Sequence, residues 1–129
     1  MTYILDTHPL VWFLEASPRL SAVARAAISD PASQLVIPSI VLVEISYLYA
    51  RKRIATDVGA VRRRILTATN CVAYPLDEQV VEHIPTNLDI HDAIVVATAL
   101  VYRDVLRQQV TVITKDEAIR QSRLVEVLW

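Results

Sequence analysis

Short apolar segments alternate with stretches of helical pattern along this 129-residue chain, and that alternation limits its fold more than any other feature. Four such segments are clear at Tyr3–Leu5, Leu35–Ile37, Cys71–Tyr74 and Val110–Ile113, and Val125–Leu128 is a candidate fifth. Short apolar strands separated by helices are typical of a parallel sheet with helices on both faces. The sequence therefore predicts an α/β fold.

Capping residues and apolar spacing predict where several helices begin. Ser17 or Ser21 is expected to cap one helix and Ser39 a long second one, while Thr56 and Asp57 are expected to open a third. Asp89 is expected to cap a helix from His91 to about Tyr102. This last helix is apolar on nearly all sides, so it should be central and buried.

Composition excludes several classes of protein. Hydrophobic residues make up 53% of the chain and charged residues 21%, which is typical of a folded domain and gives one expected domain over residues 1–129. No apolar run reaches the ~20 residues that span a bilayer, and the N-terminus does not resemble a signal peptide, so we expect a cytoplasmic protein. A single cysteine, Cys71, excludes an internal disulfide, and a single glycine, Gly59, excludes a glycine-rich phosphate loop.

The net charge is only −1, but the charges are unevenly distributed. A dense group of positive residues, which we call the basic cluster, consists of Arg51, Lys52, Arg53, Arg62, Arg63 and Arg64. Such a cluster is often no more than a solvated helix face. The alternative is that it forms a rim that binds substrate phosphates beside an acidic centre.

Four acidic residues fall where the predicted fold would place a ligand. Asp6 directly follows the first strand and Asp116 lies just past the fourth. Ligands of open parallel sheets bind beyond the carboxyl ends of the strands. Glu44 interrupts an apolar helical run, and Asp92 lies in the first turn of the apolar helix. Each also has an ordinary explanation, since Asp6 could cap a helix and Asp92 could favour a positive helix end.

Four carboxylates in one cleft would repel one another. Two of them about 5 Å apart cost roughly 3 kcal/mol at an effective dielectric constant near 20. A divalent cation would relieve that repulsion, and an all-oxygen site suits Mg²⁺ or Mn²⁺ better than zinc. Such an ion can bind a phosphate, activate water and stabilise a leaving oxygen, which fits phosphodiester hydrolysis.

The chain resembles PIN-domain proteins of the VapC toxin type at four places in register. Ile4–His8 is similar to the family's first motif, a strand ending in Asp-Thr followed by Asn or His, and Ser39–Ile45 to the second, which contains an active-site glutamate. His91–Leu100 is similar to the third and Val112–Asp116 to the fourth, a strand followed by Thr-x-Asp. The segment Arg103–Gln109 departs from the pattern, because it lacks the usual glycine turn.

This resemblance implies a central sheet of strand order 3-2-1-4-5 and an endoribonuclease that depends on Mg²⁺ or Mn²⁺, acting as the toxin of a toxin–antitoxin pair. It assigns metal binding and catalysis to Asp6, Glu44, Asp92 and Asp116, with Thr7 and Thr114 as supporting groups. It also implies a homodimer, and an antitoxin whose apolar helix packs near Val11–Leu14. RNA would be the substrate, with phosphates bound by the basic cluster.

Two other functions remain open at this stage. The chain could be a PIN-like module that binds RNA or protein without catalysis. A metal-dependent phosphatase is also conceivable, because an aspartate after the first strand can act as a nucleophile. That chemistry usually has a second aspartate two residues later, where this chain has His8. Cleavage of RNA compared with a phosphate monoester would separate these classes.

Overall fold

The computed structural model describes all residues from 1 to 129 and contains one five-stranded parallel sheet. Its strands lie in the order β3-β2-β1-β4-β5, which confirms the α/β fold and the expected strand order. The candidate fifth strand is present at the edge. The strand bounds are β1 Thr2–Leu5, β2 Gln34–Pro38, β3 Cys71–Tyr74, β4 Val110–Ile113 and β5 Glu126–Leu128.

Seven helices connect and cover these strands. Their bounds are α1 Thr7–Leu14, α2 Ala22–Ser29, α3 Ser39–Ala50, α4 Val58–Thr67, α5 Glu78–Glu82, α6 Ile90–Asp104 and α7 Glu117–Ser122. None of the helices has the length and apolar character that crossing a bilayer requires.

The helix caps agree with the sequence at two of four expected positions. Ser21 and Asp57 each accept a hydrogen bond from the backbone N–H three residues later, as expected. The expectation for Ser39 is wrong: the cap position is Pro38, and the Ser39 hydroxyl instead accepts a hydrogen bond from the backbone N–H of Leu76 at 3.0 Å. Asp89 occupies the cap position of α6 but makes no capping bond through its side chain.

The core is built around the two central strands and α6. Ile4 and Leu5 of β1 are almost fully buried, as are Val112 and Ile113 of β4. The α6 helix is buried along most of its length, as its apolar sequence predicts. Since β1 and β4 are parallel neighbours with Leu5 opposite Ile113, the residues that follow them emerge side by side at one edge of the sheet.

Candidate active site

Asp6 is the most buried of the four acids and is held by two hydrogen bonds. Its Oδ1 atom accepts from the Thr7 backbone N–H at 2.8 Å, and its Oδ2 atom accepts from the Thr114 hydroxyl at 2.6 Å. Its exposed fraction is 7%. The Thr114 hydroxyl also accepts a hydrogen bond from the Asp116 backbone N–H at 3.0 Å. Thr114 therefore links the two chain segments that carry Asp6 and Asp116.

Asp116 serves as the N-cap of α7, because its Oδ1 atom accepts a hydrogen bond from the Ile119 backbone N–H at 2.9 Å. Asp6 likewise occupies the N-cap position of α1. The capping explanation thus holds for Asp6, and Asp116 also caps a helix. It accounts for Oδ1 of Asp116 only, so the second oxygen of that carboxylate is not used by the cap.

Glu44 and His91 form a close charge pair between α3 and α6. The Glu44 Oε2 and His91 Nε2 atoms are 2.6 Å apart, and the same ring nitrogen lies 3.3 Å from the Thr7 hydroxyl. The hydrogen bond from His91 lowers the pKa of Glu44, and the hydrogen bond to Glu44 raises the pKa of His91 to about 9. Both shifts favour the charged forms, so His91 is an imidazolium at neutral pH.

Asp92 lies in the first turn of α6, where its Oδ1 atom is 3.5 Å from His91 Nδ1. Burial raises its pKa above the ordinary value, and the negative charges of Asp116 and Asp6 raise it further. The pKa of Asp92 rises although His91 acts in the opposite direction. The negative charge of the acids around Asp92 is therefore incompletely compensated.

All four acids line one cleft of about 510 Å³ at the carboxyl edge of the sheet. We call it the acidic cleft. Its lining residues are Asp6, His8, Pro9, Trp12, Glu44, Asp89, His91, Asp92, Thr114, Lys115 and Asp116. The sequence prediction missed Trp12 and Lys115 as lining residues. His8 and Trp12 are four residues apart and therefore lie on one face of α1. This spacing is the sequence signal that places Trp12 beside His8.

The donor set of the acidic cleft fits a hard divalent cation in its chemistry, since it offers the four predicted carboxylates and that of Asp89. As the side chains stand, no group of three or more Asp, Glu, His or Cys side chains is close enough together to hold a metal ion. In addition, His91 occupies one oxygen of Glu44. Metal binding would thus require local side-chain rearrangement.

The basic cluster does not line the acidic cleft. Arg51 lies over the ring of Tyr47, 4.8 Å from its centre, and Arg64 lines a separate apolar cavity. Lys52 and Arg53 line a third depression at the end of α3. All six side chains of the cluster are exposed, but the structure does not bring them next to the four acids as a rim.

The segment Val11–Leu14 divides between the core and two different cavities. Val11 is buried in the core, whereas Trp12 lines the acidic cleft. Phe13 and Leu14 line the apolar cavity of about 290 Å³ that also contains residues of α2, α4 and the sheet. The segment therefore presents Phe13 and Leu14 to a cavity that none of the four acids lines.

Comparisons with known proteins identify the family. A chain of the crystal structure of VapBC2 from Rickettsia felis, bound to a promoter DNA fragment, superposes with a TM-score of 0.67 and 13% identity over 100% of this chain and 99% of that chain. A chain of VapBC-1 from nontypeable Haemophilus influenzae superposes with a TM-score of 0.62 and 19% identity over 99% and 97%. These likenesses show a shared fold.

No curated protein sequence gives a significant match to this chain. The sequence model of the PIN domain family, however, matches residues 3–123. That match includes all four acids and every strand except the last. The chain therefore belongs to the PIN domain family.

Proposed function

We propose that this chain is a single-domain, metal-dependent endoribonuclease and the toxin of a toxin–antitoxin pair. The observation that carries the proposal is the convergence of Asp6, Glu44, Asp92 and Asp116 on one cleft, from four different parts of the chain. Family membership supports nuclease chemistry, and the fold is that of chains found in two VapBC complexes. Both non-catalytic binding and phosphatase activity are less well supported, because neither requires all four acids.

In this proposal Asp6, Glu44, Asp92 and Asp116 hold Mg²⁺ or Mn²⁺. When bound, the ion supplies charge neutralisation for the phosphate and the leaving oxygen and makes water a better nucleophile. The chain's own groups position the reactants. The Thr114 hydroxyl and the Thr7 backbone N–H fix both oxygens of Asp6, so this carboxylate cannot rotate freely.

A carboxylate of the acidic cleft accepts the proton of the attacking water. Asp92 and Asp116 are the two candidates, because Asp6 has both oxygens engaged by hydrogen bonds and Glu44 is already in a close charge pair with His91. Water oxygen then forms a bond to phosphorus while the bond to the leaving ribose oxygen breaks, and that oxygen takes up a proton from solvent water. We assign Asp6 and Glu44 to binding the ion, and not to accepting the proton of water.

His91 gives the cleft an internal positive charge through its contact with Glu44. If Glu44 held a divalent cation, its carboxylate would be shared between that cation and the His91 imidazolium. Metal binding should therefore loosen the Glu44–His91 pair. The basic cluster, which lies outside the cleft, would bind more distant phosphates of the RNA without reading its sequence.

The proposed partners are an antitoxin and a second copy of the chain. Both structural relatives come from VapBC complexes, and the apolar cavity beside Phe13 and Leu14 offers surface for an apolar helix. Light scattering should show a homodimer at micromolar concentration, and a monomer would contradict that part of the proposal.

Substrate class can be tested directly with the purified protein. We expect Mg²⁺ or Mn²⁺ to support internal cleavage of an RNA labelled at both ends, and EDTA to stop it. Under the same conditions a phosphate monoester should remain intact. RNA binding without any cleavage would favour the non-catalytic alternative, whereas monoester hydrolysis would favour the phosphatase.

A further inference from the structure

Trp12 is the one large apolar side chain that lines the otherwise polar acidic cleft. It is half-buried, and its ring lies 5.5 Å from the His8 ring, which also lines the cleft. On another side the Trp129 ring packs edge-on at 5.8 Å, and Trp129 does not line the cleft. Neighbouring rings thus pack on two sides of Trp12 while part of its surface stays accessible.

Lys115 is the only lysine or arginine among the residues that line the cleft. Its ammonium lies 6.0 Å from the centre of the Trp12 ring, at the outer limit of a cation–π contact. It is exposed and forms no ion pair with any of the neighbouring acids. A weakly held, exposed ammonium of this kind can turn towards an incoming phosphate at little cost.

We propose that Trp12 and Lys115 together bind one nucleotide of single-stranded RNA beside the acids. The base stacks on the Trp12 ring and a phosphate pairs with Lys115. This inference rests on the proposed ribonuclease function and adds two residues that bind the substrate beside the acids. In a duplex the base faces are already covered, so an aromatic platform favours unpaired RNA.

Electrostatics explain why the cleft needs such a pair. Five carboxylates line it, including Asp89, and they repel an RNA backbone. Stacking supplies attraction that does not depend on charge, and Lys115 adds the positive charge that the acids lack. Neither contribution comes from the basic cluster, which lies elsewhere on the surface.

Binding of a labelled oligoribonucleotide, measured by fluorescence anisotropy in the non-cleaving Asp92→Asn background, tests the proposal. Trp12→Ala should raise Kd for single-stranded RNA about tenfold, since base–aromatic stacking is worth ~1–3 kcal/mol. Trp12→Phe should recover most of the affinity. Trp129→Ala removes the packing partner but not the platform, and should bind nearly as tightly as its parent.

Two further measurements separate stacking from fold damage. An abasic nucleotide at the stacked position should weaken binding to the Trp12 protein and leave binding to Trp12→Ala unchanged. Lys115→Gln should flatten the salt dependence by the equivalent of about one phosphate contact. Duplex RNA of the same sequence should bind equally weakly to the protein that keeps Trp12 and to Trp12→Ala.

Equal affinities of the Trp12 and Trp12→Ala proteins for single-stranded RNA would overturn this inference, as would an equal loss in Trp129→Ala. In either case the unsubstituted protein would still cleave RNA with metal, and the proposed function would stand. An unsubstituted protein that neither binds nor cleaves RNA would instead overturn both.

Discussion

Glu44 Oε2 and His91 Nε2 lie 2.6 Å apart, so α3 and α6 are joined by a charge pair inside the acidic cleft. The pair places an imidazolium among the carboxylates that line the cleft. His91 thus offsets part of the repulsion in the metal-free protein. A bound cation would take over that role, and several consequences of this exchange can be measured.

Stability of the metal-free protein should depend on pH through His91. Its folded pKa is about 9, above the ordinary value of 6.5, because it donates a hydrogen bond to Glu44. The stabilisation is therefore fully present below about pH 6.5 and is lost as pH rises through about 9. In EDTA, the parent should have a higher free energy of unfolding than His91→Gln below about pH 6.5, and this difference should shrink as the pH rises through about 9. Urea unfolding of both proteins measures the difference. A difference that does not change with pH would contradict the charge pair.

Mg²⁺ or Mn²⁺ should raise the Tm, because the folded cleft binds the ion and the unfolded chain does not. The expected gain is about 2.7 kcal/mol at a metal concentration one hundred times Kd. Asp6→Asn should lose most of this gain. Glu82→Gln is a matched control, since Glu82 is exposed and lies outside the cleft. A metal effect that is the same in both variants would indicate binding elsewhere.

The turn before β4 should be improved by glycine. Arg107 has a φ of 57°, a left-handed conformation that costs a non-glycine residue roughly 1–2 kcal/mol. Arg107→Gly removes this strain but adds unfolded-state entropy, so we expect a gain of about 0.5–1 kcal/mol in the free energy of unfolding. Arg120→Gly, within α7, should instead cost about 1 kcal/mol. Destabilisation by Arg107→Gly in urea unfolding would show the expectation to be wrong.

The basic cluster should contribute to RNA affinity through phosphates alone. Reversing Arg62, Arg63 and Arg64 to Glu should weaken binding of every RNA sequence to a similar extent. The dependence of log K on log salt should flatten by about 0.7 for each lost contact with a single strand. The metal-induced rise in Tm should be unaffected, because these side chains do not line the cleft. Unchanged affinity and slope would identify the cluster as a solvated helix face.

Much of the fold follows from local sequence. The β3 and β4 segments were predicted with their observed bounds, because each is an apolar run ended by a proline or a polar turn. The positions of Asp6 and Asp116 follow from the same logic, since both come after parallel neighbouring strands. Ser39 was misassigned because a hydroxyl can cap a helix only from the preceding, non-helical position, which Pro38 occupies.

Contacts between distant elements could not be predicted in this way. The Glu44–His91 pair depends on how α3 packs against α6, and nothing in either segment specifies that geometry. The basic cluster was expected beside the acids because of its density in sequence. None of its members lines the acidic cleft, since they lie at the end of α3 and on α4.

The most direct test of the central claim is metal-dependent RNA cleavage by Asp6→Asn and Asp92→Asn, alongside circular dichroism and Tm in EDTA. Both variants should keep the fold, and Asp92→Asn should have a higher Tm in EDTA because it removes repulsion by Asp116 and Asp6. Our account predicts that neither variant cleaves RNA in Mg²⁺ or Mn²⁺, while the unsubstituted protein does. Cleavage that survives both substitutions, or that proceeds at full rate in EDTA, would contradict it.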